Sequence, residues 1–359
     1  MYDLPSLIQD PALLAGLREA VAGAPPARVR DAKFKVTARC NLRCSFCRFW
    51  REEAPAEVGT EEALQVIDDL AALDCRKVHF SGGEPTLRAD LPLLVERASR
   101  QGMRAALTTN GTCLTEELAT ALVAAGLFSA TLSLDSATPE VHDRLRGVKG
   151  THKRALRGLR ALLRAKRRLK SKLRVRLNMV LTRHNYAEYP EVLALAGALG
   201  ATDVTPLPVD EGGRSRHRLL PAQLQEYNET IAPAVAAIRA EYDFPAAPHL
   251  VYPFGRGKDD LRQSAEVQYA RGFYADHLCY APWLTTFIAW DGAVYPCCMA
   301  RGKIPTLGNA RETPLHALFT GETYQAFRRN LRDARLPLCH RCDNYLAENR
   351  LLDAALAAD

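Results

Sequence analysis

Phe34-Lys35-Val36-Thr37-Ala38-Arg39-Cys40-Asn41-Leu42-Arg43-Cys44-Ser45-Phe46-Cys47 runs from a short β-like stretch into three cysteines spaced C-x3-C-x2-C. Three thiolates from one short loop can hold three irons of a 4Fe–4S cube, leaving the fourth iron without a protein ligand. An open metal position is where a substrate or cosubstrate binds. A closed zinc site fits poorly, because the loop supplies no nearby fourth thiolate or histidine. The loop directly follows the first strand, which puts it at the C-terminal mouth of a parallel sheet, where α/β folds keep their active sites. Phe46, just before Cys47, is placed to pack on a flat ligand beside the cluster.

Outward from this stretch, short β-like runs alternate with helical patterns. The runs are 34–37, 77–81, 104–109, 130–135, 174–181 and 203–208. Apolar stripes at helical spacing fall in 60–73, 91–101, 115–126, a basic segment from Lys153, and 188–199. Six strand–helix units imply a parallel sheet with its crossover helices outside. Six fall short of the eight that close a full barrel, so the fold expected is α/β, an open, partial (β/α)6 barrel. Residues 1–30 read as a separate helical extension ending in the linker Gly23-Ala24-Pro25-Pro26, and the barrel as 31–220. A helical connector is expected over 221–270, a small cysteine-rich α+β module over 271–345, and a C-terminal helix over 346–359. Within that module 287–290 and 293–295 read as a hairpin turned by Asp291-Gly292.

A chain of 359 residues, 47% hydrophobic, can bury a sizeable core. The N-terminus lacks the basic-then-apolar pattern of a signal peptide. No apolar stretch approaches the roughly 18–20 residues of a membrane span. A cytoplasmic protein is expected. Ten cysteines in such a chain point to metal or catalysis rather than disulfides. Seven form two groups, Cys40, Cys44 and Cys47, then Cys279, Cys297, Cys339 and Cys342. Cys75 and Cys113 read as small buried hydrophobes; Cys298, beside Cys297, is ambiguous. The net charge is +7, yet twelve Lys or Arg and no acid lie between Lys153 and Arg176, so the rest of the chain is net acidic. Leu156, Leu159, Leu162 and Leu163 make that segment an amphipathic helix with a solvated basic face. No aromatic series accompanies it of the kind that stacks bases, which argues against a nucleic-acid partner.

The C-x3-C-x-aromatic-C loop resembles the cluster-binding loop of the radical S-adenosylmethionine (SAM) superfamily. Other segments share the resemblance. Ser81-Gly82-Gly83-Glu84-Pro85 after the second strand is similar to that family's GGEP motif, which implies that Gly82, Gly83, Glu84 and Pro85 seat the methionine amino group, Glu84 accepting from the ammonium. Thr109 and Asn110 end the third strand where the family contacts SAM. Ser133 is implied as a contact to ribose or carboxylate, Arg146 as the partner of the SAM carboxylate, and Asn178 and Val180 as lining the adenine pocket. Gly292-x4-Cys297 with Cys339-x2-Cys342 resembles the SPASM/twitch modules of such enzymes. Because no cysteine follows Cys342, the shorter twitch pattern is implied, with Cys279, Cys297, Cys339 and Cys342 holding one fully ligated auxiliary 4Fe–4S cluster. A four-thiolate zinc site, or Cys298 as a ligand, stays open at this point.

The resemblance implies two 4Fe–4S clusters, SAM cleavage to a 5′-deoxyadenosyl radical, hydrogen abstraction from a C–H bond, and oxidation of the substrate radical through the auxiliary cluster. It implies an electron donor such as flavodoxin or ferredoxin. The base is not legible; Asp210, Glu211, Arg214, Arg216 and His217 are candidates by position, with plain surface charge the competing account. The substrate expected is a small polar metabolite, a sugar, aminocyclitol or nucleoside, because only about 30 residues precede the barrel and leave no room for a leader-gripping domain. Peptide or protein modification is the alternative, with RNA modification or nucleic-acid binding through the basic helix a third.

Overall fold

A computed structural model describes residues 7–26, 28–53, 56–211 and 216–357. Six parallel strands appear where the apolar runs fall: β1 (Asp31–Thr37), β2 (Lys77–Gly82), β3 (Arg104–Thr109), β4 (Ser129–Ser133), β5 (Arg174–Leu181) and β6 (Val204–Pro208). Strand β1 begins before the expected run because charged Asp31 and Lys33 alternate with buried Ala32 and Phe34, which hides the strand from a reading based on apolar residues. Strand β4 stops at Ser133, after which the Asp135 amide donates to His142 Nδ1 at 3.1 Å instead of continuing the ladder.

The helices are α1 (Pro11–Ala22), α2 (Thr60–Ala72), α3 (Leu91–Arg100), α4 (Glu116–Ala124), α5 (Pro139–Arg146), α6 (Thr151–Arg168) and α7 (Tyr189–Leu199), followed by helical segments from Pro221 onward. Helices α2 to α4, α6 and α7 lie on the convex face, where Phe34, Phe80, Leu107, Leu132, Leu177 and Val192 join one continuous core. Alternate residues of each strand face the other way, into an open lumen. Helix α6 buries Ala155, Leu159, Leu162 and Leu163. On its outer side Arg164 pairs with Glu116, and Arg168 donates to Thr120. The basic run is therefore the solvent side of an amphipathic helix.

Two features depart from the expected division into domains. The sheet has eight strands in the order β6-β5-β4-β3-β2-β1-β7-β8. The hairpin of the cysteine-rich segment supplies β7 (Thr285–Ile288) and β8 (Val294–Tyr295), and β7 pairs in parallel with β1 from Asp31↔Thr285 to Phe34↔Ile288. The module thus continues the barrel sheet at the edge that the six units leave open, satisfying backbone groups of β1 that would otherwise be unpaired. Helix α1 is not a detached extension either. Leu17 and Ala20 pack with Trp283, Leu331, Leu346 and Leu352 in a second core, and Trp283 Nε1 donates to the Ala20 carbonyl at 2.9 Å. Arg332 caps its C-terminal end through the Val21 and Ala22 carbonyls.

Candidate active site

The cysteine loop leaves β1 and is gripped from two sides. On one side the Gly83 amide donates to Thr37 O at 2.8 Å and the Glu84 amide to Arg39 O at 2.7 Å. A Cβ at Gly83 would stand 2.3 Å from the Ala38 and Arg39 oxygens, so only glycine permits this approach. The paired glycines thus let the turn close on the chain that carries the cysteines. On the other side Arg43 N donates to Arg146 O and Ser45 N to Leu145 O, at the C-terminal end of α5. Gly147, at φ +70°, ends that helix where a Cβ would lie 2.3 Å from Arg43 O.

Cys40, Cys44 and Cys47 lie in this grip, near enough that their charges act on one another. Burial, then the Asp135 charge and the neighbouring thiolates, push the Cys44 thiol up to about 11 against the opposing Arg146 charge, and burial, then the Glu84 and Cys47 charges, raise Cys40. Thiols that hinder one another's ionisation are a donor set that a cationic iron cluster would neutralise, with release of their protons. The Arg146 guanidinium adds a positive charge 3.9 Å from Cys44 Sγ. The loop therefore fits a cluster held by three thiolates.

Glu84 is fully buried. Its Oε1 accepts from Thr86 N, Thr86 Oγ1 and Thr109 Oγ1, and its Oε2 from the Asn110 amide at 2.6 Å. Burial raises its pKa, and these donors oppose the rise. The carboxylate ties the ends of β2 and β3 together. Asn110 continues the tie through Nδ2 to Asn41 Oδ1 at 2.8 Å, inside the cysteine loop. Pro85 opens a single 3-10 turn behind Glu84. Only Oε2 has acceptor capacity left for a ligand ammonium.

Arg146, expected to meet a ligand carboxylate, is engaged inside the protein. Its Nε stands 2.7 Å from Asp135 Oδ2, with Asp135 fully buried. Burial alone would lower the guanidinium pKa, but the Asp135 and Cys44 charges raise it. Asp135 Oδ1 accepts from the Val180 amide at 3.0 Å, so one carboxylate joins α5, β4 and β5. Phe46 lies 5.6 Å from the Arg146 guanidinium and meets His217 edge-on at 6.2 Å. Ser133, Asn178 and Val180 are half-buried on the lumen face, Ser133 opposite Asn178 in register.

Among the positional candidates for a base, Asp210 pairs with Arg341. Both Glu211 oxygens accept from the His217 amide, at 3.0 and 2.8 Å. Arg216 is exposed, and Arg214 lies outside the described residues. His217, its pKa lowered chiefly by burial, is the one that reaches the cysteine loop.

The second cysteine group packs on the core shared with α1. Cys339 and Cys342 are buried in it, and Cys279, Cys297 and Cys298 lie against it. Burial pushes Cys279 up to about 12, and the charges of Cys297, Cys279 and Cys339 act on one another. Asn349 Nδ2 lies 3.4 Å from Cys279 Sγ and Lys33 Nζ 3.4 Å from Cys298 Sγ. Among the described residues, no three His, Cys, Asp or Glu side chains close on a point as the ligands of a single ion do. Cys279, Cys297, Cys339 and Cys342, gathered on one core with charges that reach one another, are a donor set suited to an iron–sulfur cluster.

The residues that join the two cysteine groups escaped sequence reasoning. A two-point ion pair, 3.1 and 2.6 Å, links Arg301 of the module to Glu52 just after the cysteine loop. Arg301 also lies 3.8 Å from the Trp290 ring, and Phe49 meets Trp290 edge-on. Glu57 accepts from Thr37 Oγ1 and Ala38 N at the end of β1. Only the alternation of Lys33 and Lys35 with Ala32, Phe34 and Val36 carried a signal, since it marks both lysines as lumen-facing.

The radical SAM superfamily pattern matches residues 34–196, and an iron–sulfur cluster-binding SPASM pattern matches 279–343. An AdoMet-dependent heme synthase of Methanosarcina barkeri is 30% identical over 308 residues, 84% of this chain and 84% of that protein. The chain belongs to the radical SAM superfamily. A PqqA peptide cyclase of Ruegeria pomeroyi is 30% identical over 323 residues, 86% of this radical SAM enzyme and 78% of the cyclase. Among solved structures, Streptococcus suis SuiB bound to S-adenosylmethionine shares the fold, with a TM-score of 0.66 at 17% identity over 89% of this chain and 74% of SuiB. The enzyme uses S-adenosylmethionine and iron–sulfur clusters, and its second cysteine group belongs to a SPASM module. No helix among the described residues is long and apolar enough to cross a membrane.

Proposed function

We propose that this radical SAM enzyme oxidises a small polar metabolite inside the lumen, with the Cys279–Cys297–Cys339–Cys342 group receiving the electron. The bound groups supply a 5′-deoxyadenosyl radical at one end and a one-electron acceptor at the other. The chain's own residues do the rest. Cys40, Cys44 and Cys47 hold the first cluster in the grip of the Gly83 turn and the α5 end. Gly82, Gly83, Glu84 and Pro85 shape the seat of the methionine end, with Oε2 of Glu84 as the remaining acceptor. Phe46, Thr109, Asn110, Ser133, Asn178 and Val180 line the space for the nucleoside. Arg146, locked to Asp135, holds the loop and places positive charge beside Cys44. The lumen wall excludes water from the reacting carbon.

The observation that carries this reading is the parallel pairing of β7 with β1. One strand leads into Cys40, its neighbour leads through the hairpin to Cys297, and both cysteine groups are thereby fixed to one sheet. Similarity over 84% of each chain to a heme synthase, named for a non-peptide product, supports a small molecule. Similarity to a peptide cyclase supports peptide modification as the second reading. A flavodoxin or ferredoxin is proposed as the source of the reducing electron.

Anaerobic reconstitution followed by iron counting and detection of 5′-deoxyadenosine tests the proposal. About eight irons are expected from two cubes. Replacing Cys279 and Cys342 together by alanine should leave about four irons and intact SAM cleavage. A wild-type count near four would remove the electron relay, and a mass change in a precursor peptide would establish the second reading.

A further inference from the structure

Strand β1 turns Asp31, Lys33, Lys35 and Thr37 toward the lumen and Ala32, Phe34 and Val36 toward the helices. Asp31 is already matched by Lys77 of β2, at 3.0 Å. Lys35 is not matched in this way, and Lys33, half-buried, is matched only in part: burial lowers its pKa, but the charges of Cys298 and Asp31 more than offset this. Lys35 is 9% exposed; its Nζ meets the Gly82 carbonyl at 3.4 Å and stands 3.2 Å from the centre of the Phe49 ring. Glu52, whose charge reaches Lys35, is held by both arms of the Arg301 guanidinium. Lys33 Nζ meets Cys298 Sγ at 3.4 Å and lies 5.7 Å from the Tyr345 ring. Among the described residues, neither ammonium has a carboxylate at ion-pair distance.

A buried ammonium without a counter-ion is costly, and proteins otherwise pair it or replace it. Lys35, with the half-buried Lys33 at the next lumen position of the strand, concentrates positive charge where attraction for an anion is little screened. Their location sets what the anion could be. Lys35 is within electrostatic reach of Cys47 and Cys298, one from each cysteine group, whereas Lys33, against Cys298 and within reach of Cys342, lies on the side of the second group. Burial pulls the Lys35 amine down to about 8, which leaves it largely charged at neutral pH.

We propose that Lys33 and Lys35 form an anion site on the lumen wall that seats a carboxylate of the substrate between the two cysteine groups. The site rests on the reading of the lumen as the substrate chamber, and it narrows the substrate to a carboxylate-bearing molecule. Such a group would be fixed by charge-assisted hydrogen bonds and would orient the neighbouring carbon toward the cysteine loop.

The test uses anaerobic holoenzyme saturated with SAM, so that no probe can take the open iron. Acetate, succinate, glutarate and benzoate are each compared with the corresponding amide by ligand-observed NMR, with inorganic phosphate as a further arm. At least one carboxylate should bind about tenfold more tightly than its amide. Lys35→Gln or Lys33→Gln should abolish that preference, and Lys35→Arg should keep it. Absence of any preference in the wild-type enzyme overturns the proposal without recourse to a variant. So does a preference that survives both glutamine variants, tighter binding of phosphate than of every carboxylate, or unchanged binding with a shifted cluster midpoint potential, which would make the lysines tuning residues for the clusters. Formation of 5′-deoxyadenosine in the same samples reports separately on the proposed function.

Discussion

Asp135 and Arg146 offer the sharpest test of how the first cysteine loop is held. Both are buried, and Nε of one stands 2.7 Å from Oδ2 of the other. At that distance two unit charges attract by ~6 kcal/mol at an effective dielectric near 20. Much of this only offsets desolvation, so the net worth of the pair is small while the cost of breaking it is large. Asp135→Asn keeps an acceptor for the Val180 amide but strands a buried guanidinium, and should destabilise by about 3 kcal/mol. Arg146→Met strands the carboxylate and should cost about the same. The double variant removes both charges, and a coupling of about 2 kcal/mol is expected between the two substitutions. Urea denaturation of the metal-free chain under anaerobic, reducing conditions measures all four corners. Additivity within ~0.5 kcal/mol would refute the ion pair as the lock of α5 onto the loop. SAM affinity gives an independent reading. If Arg146 acts through the loop, Asp135→Asn and Arg146→Met should weaken SAM binding alike, whereas a direct contact with the SAM carboxylate makes the arginine variant much the worse.

Lys35→Met should stabilise the metal-free chain by about 3 kcal/mol at pH 7, the cost of holding an amine at about 8 instead of its ordinary ~10.4. That cost is fully present below pH 8 and is relieved as the native amine deprotonates, so the gap between variant and wild type should narrow from pH 8 to about 10.4; a gap independent of pH would refute the burial argument. Glu84→Gln puts an amide among donors that need acceptors and should cost about 2 kcal/mol, read from the urea midpoint; an unchanged midpoint would show that the four donors around Glu84 do not depend on its charge. Cys298→Ala should retain the full iron content while Cys297→Ala loses about four irons, and the reverse outcome would exchange their roles.

The strand and helix positions were legible because each strand packs against the helices through a dense set of apolar side chains, bounded by Gly and polar turns. The first cysteine group was legible because its members lie in one short loop, whereas Cys279 and Cys297, far along the chain from Cys339-x2-Cys342, were grouped with that pair only by resemblance. What could not be read was every feature set by partners distant in the chain. That Glu84 also ties Thr109 and Asn110 of the next strand to its carboxylate has no sign in the local sequence. Arg146 looks free until Asp135 folds under it. The run Thr285–Ile288 is too short to declare which strand it joins, and its parallel pairing with β1 depends on an edge that exists only once the six units have assembled.

That pairing gives β1 an unusual combination of duties. As the strand between β2 and β7 it is hydrogen-bonded on both edges, which makes it among the least deformable elements of the sheet. A rigid strand is the place to anchor a loop whose three thiolates must keep a fixed spacing, because site geometry is more precise on regular elements than on loops. The same rigidity lets β1 retain the buried Lys35 ammonium beside the half-buried Lys33. Extension of the sheet by β7, rather than any property of the cysteine loop itself, is therefore what allows one strand to carry the cluster loop at its end and a charged binding surface along its length.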